Sequence, residues 1–178
     1  MADREHLILT AVGPDQIGLV EKISEFIAGR GCNIEDSKMA VFCGEFAVIV
    51  LITGTPHALL ALSNSYRELE AGTRLNISLK TPSHRPSTGS FLPYRLIASC
   101  MDHPGIVHRL SQVLSSHNVN IETMETKTYA APVSGTPIFC LEATVSIPVS
   151  TNVNGLRDQF AEIQREENID IDLTPAKG

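Results

Sequence analysis

The chain repeats itself, and that repeat limits its fold more than any other feature of the sequence. Adding 87 to each position carries Asp15, Gly18, Leu19 and Val20 onto Asp102, Gly105, Ile106 and Val107. The same offset carries Ile23, Phe26 and Ile27 onto Leu110, Val113 and Leu114, Gly31 onto Asn118, and Asn33, Ile34 and Glu35 onto Asn120, Ile121 and Glu122. So many coincidences at one offset mean an internal duplication. The fold must therefore be built twice, from modules of roughly 75 to 85 residues, a size that buries only a marginal core by itself. Packing of module against module is expected.

Within a copy the residue pattern spells out an order of elements. Leu7, Leu9 and Ala11 alternate as a strand does over residues 5–12, and the turn holding Asp15 and Gly18 follows. Leu19, Ile23, Phe26 and Ile27 then share one face of a helix expected over about 17–30. Gly29 and Gly31 permit a left-handed ending, and Asn118 in the second copy is the other residue type that tolerates it. A strand from Asn33 to Phe42, a tight reversal at Cys43 and Gly44, and an apolar strand from Phe46 to Ile52 come next. Thr55 before Pro56 has the order of a helix start, and Leu59, Leu62, Tyr66 and Leu69 keep helical spacing. Leu75, Ile77 and Leu79 alternate as a last strand.

The second copy repeats this order with a changed offset. Val153, Leu156, Phe160 and Ile163 stand 94 residues after Leu59, Leu62, Tyr66 and Leu69, and Ile169, Ile171 and Leu173 stand 94 after Leu75, Ile77 and Leu79. Seven extra residues are therefore expected between the second and third strands of the second copy, where the turn-rich stretch 130–137 makes a longer hairpin loop. Each module reads β-α-β-β-α-β, the split βαβ order of the ferredoxin-like α+β class: a four-stranded antiparallel sheet with both helices on one face. The expected division is a first domain over 1–80, a Pro-, Ser- and Gly-containing linker over 81–92 and a second domain over 93–178.

Charge and composition exclude several classes of function. A net charge of −6, with the 14 basic residues scattered, does not suit a nucleic-acid surface, which needs clustered Lys and Arg against phosphates. No apolar run is long enough to cross a bilayer, and the residues 1–6 are charged, so a cytoplasmic protein is expected. Cys32, Cys43, Cys100 and Cys140 lack the CxxC spacing of a metal knuckle and sit in or next to apolar strand segments, where buried free thiols are expected. Cys100 and His103 are two residues apart in between, but they belong to the repeated loop, and His103 and His108 do not share a helix face. No metal site is expected. Nor is a catalytic centre: no Gly-x-Ser-x-Gly elbow is present, and no Ser or Cys has a partner base nearby in the pattern. Gly29 and Gly31 follow a helix, whereas a dinucleotide fingerprint follows a strand and opens one. No cofactor is expected.

The loop before the first helix is where a ligand is expected. A helix N-terminus beside a glycine offers backbone N–H groups to a small carboxylate with no side chain in the way. The run Gly13-Pro14-Asp15-Gln16-Ile17-Gly18-Leu19-Val20 and its counterpart Met101-Asp102-His103-Pro104-Gly105-Ile106-Val107, each followed by a helix and then Asn-Ile-Glu, resemble the ACT domains, small regulatory modules that bind amino acids. Gly31 to Ser37, joined to a Gly44-Glu45-Phe46 hairpin, resembles the tandem-ACT transcriptional repressors of glycine breakdown. The resemblance implies a non-enzymatic protein that senses a small amino acid, glycine favoured, and changes its hold on a separate DNA-binding activator. It also implies a homodimer, with effectors held between paired modules, near the loop after the first strand and the start of the second. The alternative function is a regulatory, effector-binding subunit of an amino-acid metabolic enzyme.

Carried over residue by residue, the ligand candidates are Asp15, Gly18 and Asn33 in the first copy and Asp102, Gly105 and Asn120 in the second. Backbone around Gly18 and Gly105 would bind the carboxylate, Asp15 or Asp102 the ammonium, and the amides of Asn33 and Asn120 either end. Structural roles compete with these. Asp15 and Asp102 stand where a helix N-cap belongs, Gly18 and Gly105 suit close packing of strand and helix, and Asn33 and Asn120 can close the turn into a strand. Ile17 faces Pro104 at the matching position, so the two loops need not be equally rigid.

Overall fold

In a computed structural model, which describes residues 4–83 and 89–176, the chain forms two compact units, 1–85 and 86–178. The first runs β1 (Glu5–Pro14), α1 (Leu19–Ala28), β2 (Asn33–Phe42), β3 (Glu45–Gly54), α2 (Pro56–Thr73) and β4 (Asn76–Lys80). The second runs β5 (Phe91–Met101), α3 (Ile106–Ser116), β6 (Asn120–Ala130), β7 (Pro137–Pro148), α4 (Val153–Glu167) and β8 (Asp170–Pro175). The sheets are antiparallel, ordered β2-β3-β1-β4 and β6-β7-β5-β8, which is the ferredoxin-like βαββαβ fold twice over. Part of the stretch expected as a linker, residues 84–88, lies outside the described residues, and β5 already includes Phe91 and Leu92.

Each core sits between a sheet and its two helices. In the first unit Leu7, Leu9 and Ala11 from β1 meet Val50 and Ile52 from β3, and Leu19, Ile23 and Ile27 of α1 and Leu59, Leu62 and Leu69 of α2 close over them. In the second, Leu96, Ala98, Ala143 and Val145 are covered by Ile106, Leu110 and Leu114 of α3 and Leu156, Phe160 and Ile163 of α4. Leu9, Leu96, Leu62 and Leu156 are completely buried, so each unit encloses its own dry interior.

Local chemistry explains the ends of the elements. Thr55 accepts a hydrogen bond from the N–H of Ala58 at 3.3 Å ahead of Pro56, and Asn152 accepts from Asn154 and Gly155 at 3.1 and 3.3 Å, so α2 and α4 start at side-chain caps. Gly31 at φ 72° and Asn118 at φ 56° end α1 and α3 in matching left-handed turns, with Cys32 N–H bonded to Ile27 O and Val119 N–H to Leu114 O. At the β2–β3 hairpin Cys43 and Gly44 have φ of 51° and 84°, a two-residue turn with both centres left-handed.

The pairing register corrects the expected insertion. Leu9 pairs with Val50 and Leu96 with Ala143, so the third strands are offset by 93 rather than 94. Six of the extra residues therefore lengthen the β6–β7 hairpin, whose loop 131–136 folds on itself through Ala131 N–H to Thr136 O and Gly135 N–H to Ala131 O. One more comes between β7 and α4. The cysteines need correction too: Cys32 and Cys100 are buried and Cys140 half-buried, but Cys43 is exposed at the hairpin tip. All four are free thiols.

Candidate functional site

The repeated loop leaves β1 at Pro14 and enters α1 at Leu19. Its position is set by backbone: Asp15 N–H donates to Gly44 O at 2.8 Å, and Asp102 N–H donates to Pro137 O at 2.9 Å, so each loop is pinned to the β2–β3 or β6–β7 hairpin of its unit. The helices do not begin at these aspartates. Their N-caps are Gly18 and Gly105, at φ 90° and 101°, and neither has a side-chain capping hydrogen bond. The capping role expected for Asp15 and Asp102 is thus corrected, because the left-handed turn delays the helix by three residues and leaves both carboxylates exposed ahead of it. Asp102 Oδ2 accepts a long 3.5 Å bond from Thr128 of β6.

A second set of residues holds the loop from the helix side, and the sequence pattern alone did not single it out. Gln16 reaches the end of α2, donating to Thr73 O and accepting from Arg74, both at 3.4 Å, while Lys22 donates to Gly72 O at 3.3 Å. The counterparts at the 87 offset are His103 and Arg109. Arg109 pairs with Glu166 and Glu167 of α4, both at 2.8 Å, and His103 stands 4.0 Å from Glu167. Position 16 or 103 and position 22 or 109 thus tie the loop and first helix to the last turn of the second helix in both units. The repeat offset was the available signal. Partly exposed pairs of this kind fix geometry more than they add stability.

Asn33 and Asn120 are placed elsewhere. Asn33 pairs with Thr53 and Asn120 with Ser146, whereas the Asp15 and Asp102 loops adjoin Glu45 and Pro137 at the other ends of β3 and β7. At a rise of ~3.3 Å per residue over those strands, loop and asparagine of one unit are about 26 to 30 Å apart. One small molecule cannot touch both. Asp15 is brought together with Gly18, and Asp102 with Gly105; the asparagines are not, so a site using loop and asparagine must take them from two different modules. The Asn-Ile-Glu repeat has a structural role besides: the ladder slips between Ile34 and Asp36 and between Ile121 and Thr123, making Glu35 and Glu122 the extra residues of a β-bulge in each copy.

Electrostatics divide the loops. Glu21, in the first turn of α1, brings its Oε2 to 3.6 Å from where a Cβ on Gly18 would stand, whereas α3 has exposed His108 at that place and open space around Gly105. Burial pushes the Cys100 thiol up, reinforced by Asp102, Glu167 and Cys140, and burial likewise raises Cys32 against the pull of Arg30. Both thiols are poor nucleophiles as a result. Two shallow concavities of about 370 Å³ lie elsewhere, between α4 and β8 and between α3 and α4, and none of the six candidate residues lines either. Among the described residues no group of three or more His, Cys, Asp or Glu could hold a metal ion, and no helix is long and apolar enough to cross a membrane.

Comparison with known proteins agrees with this geometry. The ACT domain family matches residues 5–80 and again residues 94–136, the second match ending with the lengthened hairpin loop. The glycine cleavage system transcriptional repressor of Escherichia coli (strain K12) is 25% identical over 168 residues, covering 94% of this chain and 88% of that one. Among solved structures, an unknown protein from Galdieria sulphuraria is 26% identical with a TM-score of 0.82, covering 98% of this chain and 100% of that one. Another, provisionally described as a glycine cleavage system transcriptional repressor, has a TM-score of 0.71 at 21% identity, with 98% and 99% covered, and supports the fold. The chain belongs to the ACT domain family, carrying two ACT domains in tandem that resemble the glycine cleavage system transcriptional repressor over 94% of the chain.

Proposed function

We propose that the chain is a non-enzymatic amino-acid sensor that represses transcription of the glycine cleavage system by acting on a separate DNA-binding activator in the cytoplasm. The observation that carries the sensing reading is the pair of glycine-capped helices. Gly18 and Gly105 start α1 and α3 without a side-chain cap, so no capping side chain takes up the first-turn N–H groups that follow the exposed carboxylates of Asp15 and Asp102. Donors for a carboxylate stand next to an acceptor for an ammonium, which is the polarity of a free α-amino acid. Glycine suits the setting, because the donors are backbone groups and require no contact with a ligand side chain. Asn33 or Asn120 of another module would complete the site, which makes binding dependent on module pairing. The repressor reading rests on the likeness to the Escherichia coli protein over 94% of the chain, and the charge of −6 favours a protein partner over DNA.

Calorimetry with a panel of amino acids tests the sensing step. Glycine or a close analogue is expected to bind, with D15N and D102N each weakening it; no binding at millimolar levels refutes the reading. Affinity capture from extract tests the partner. A DNA-binding activator whose retention changes with glycine is expected, by a coupling of about 1 to 3 kcal/mol that must act reciprocally on both ligands. Capture of a metabolic enzyme whose rate changes instead would overturn the repressor assignment.

A further inference from the structure

The helices of each unit cover one face of its sheet, and the two uncovered faces differ in kind. In the first unit the pairing register arranges that face in transverse rows. One row reads Asp36, Leu51, Ile8, Lys80; the next reads Lys38, Ile49, Thr10, Ser78; the third reads Ala40, Ala47, Val12, Asn76. The middle strands are apolar except at Thr10, and the rims carry Asp36, Lys38 and Lys80. Val12 is 50% exposed and Ile49 47%. In the second unit the corresponding rows read Thr123, Thr144, Arg95, Thr174, then Glu125, Glu142, Ile97, Asp172, and then Lys127, Cys140, Ser99, Asp170, with Arg95 paired to Glu142 at 2.8 Å. That face is polar and acidic where the first is apolar.

We propose that the uncovered face of the first unit is a homodimer surface, packed against the same face of a second copy about a twofold axis parallel to the strands. Such an axis lays β2 of one copy over β4 of the other and keeps each row at its own level. Asp36 then meets Lys80 of the second copy and Lys80 meets its Asp36, while Leu51 lies on Ile8, Ile49 on Thr10 and Ala47 on Val12. An isologous interface requires this self-complementarity, and the rows supply it. The β-bulge at Glu35 is what brings Asp36 to this face, since without the extra residue the alternation would turn its side chain to the helices. The second unit fits the same operation less well, although it would bring Lys127 onto Asp170. It would set Glu125 on Asp172 and strip water from the Arg95–Glu142 pair. Three strands of 10 residues and one of 5, spaced ~4.8 Å apart with a rise of ~3.3 Å per residue, give about 550 Å² per copy, or roughly 1,100 Å² for the pair, where specific association begins. This inference is independent of the amino-acid reading.

Sedimentation velocity on the full chain over a wide concentration range tests it, with far-UV circular dichroism confirming that each variant is folded. The wild type is expected to dimerise and I49D to be monomeric. D36K alone and K80D alone should each raise the dimer dissociation constant at least about tenfold, because like charges then face each other. D36K/K80D together should return it close to the wild-type value. In one sheet Asp36 and Lys80 are three strand spacings apart, about 14 Å, so this rescue cannot arise within a single copy. A wild type that stays monomeric, a dimer that I49D leaves intact, or a double variant no better than the single ones would each overturn the proposal.

Discussion

Replacing Gly105 with alanine isolates the backbone conformation on which the loop depends. Gly105 stands at φ 101°, and a Cβ built there meets no atom within 4 Å. The change therefore adds no clash, opens no cavity and removes no hydrogen bond. What remains is the cost of holding an L-residue in left-handed backbone, about 1 to 2 kcal/mol. Asparagine, which tolerates that region, should cost less than alanine, and valine, branched at Cβ, should cost more. Hydrogen exchange by mass spectrometry on the full chain resolves the two units separately. A loss of 1 to 2 kcal/mol means roughly 5- to 30-fold faster exchange of the most protected amides, expected in β5 and β7 and not in β1 or β3. Gly18→Ala should reverse the pattern, since φ is 90° there and the nearest atom, Glu21 Oε2, lies at an ordinary 3.6 Å. Unchanged exchange in G105A, or asparagine costing more than alanine, would refute the conformational argument.

Further tests concern the core, the thiols and the charge difference between the loops. Leu96 is completely buried, so L96A should cost about 2 to 5 kcal/mol in urea unfolding of the second unit. A disulfide-exchange reagent should label Cys43 first and Cys32 and Cys100 only on unfolding. Because burial raises those two thiols above the ordinary value of 9.0, their contribution to stability is intact below that pH and lost as pH climbs through their folded values; a urea midpoint falling above about pH 9, and falling less steeply in C32A/C100A, checks the sign. If the loops bind amino-acid carboxylates, H108E should weaken glycine binding at the second unit and E21Q should strengthen it at the first, each about two- to fivefold by calorimetry, since a carboxylate in the first turn competes for the same helix N-terminus.

What could be read from the sequence was whatever short-range chemistry encodes. Strand alternation at Leu7, Leu9 and Ala11, helical spacing at Leu59, Leu62 and Leu69, the Thr55–Pro56 start and the Gly31/Asn118 stop depend on neighbours a few residues away, and the 87-residue offset repeated them. Two ferredoxin-like modules followed from that order. Tertiary structure decided what depends on pairing between distant residues. The register of β1 on β3 and of β5 on β7 moved one inserted residue past the third strand, and the bulges at Glu35 and Glu122 turned Asp36 and Thr123 to the uncovered faces. Left-handed Gly18 and Gly105 took the cap position from Asp15 and Asp102. Asn33 and Asp15 are 18 positions apart in the chain, yet a helix returns the chain to the far end of the sheet between them, so they stand at opposite ends of one unit. Periodicity records which face a residue takes; only the closed sheet determines what stands opposite it.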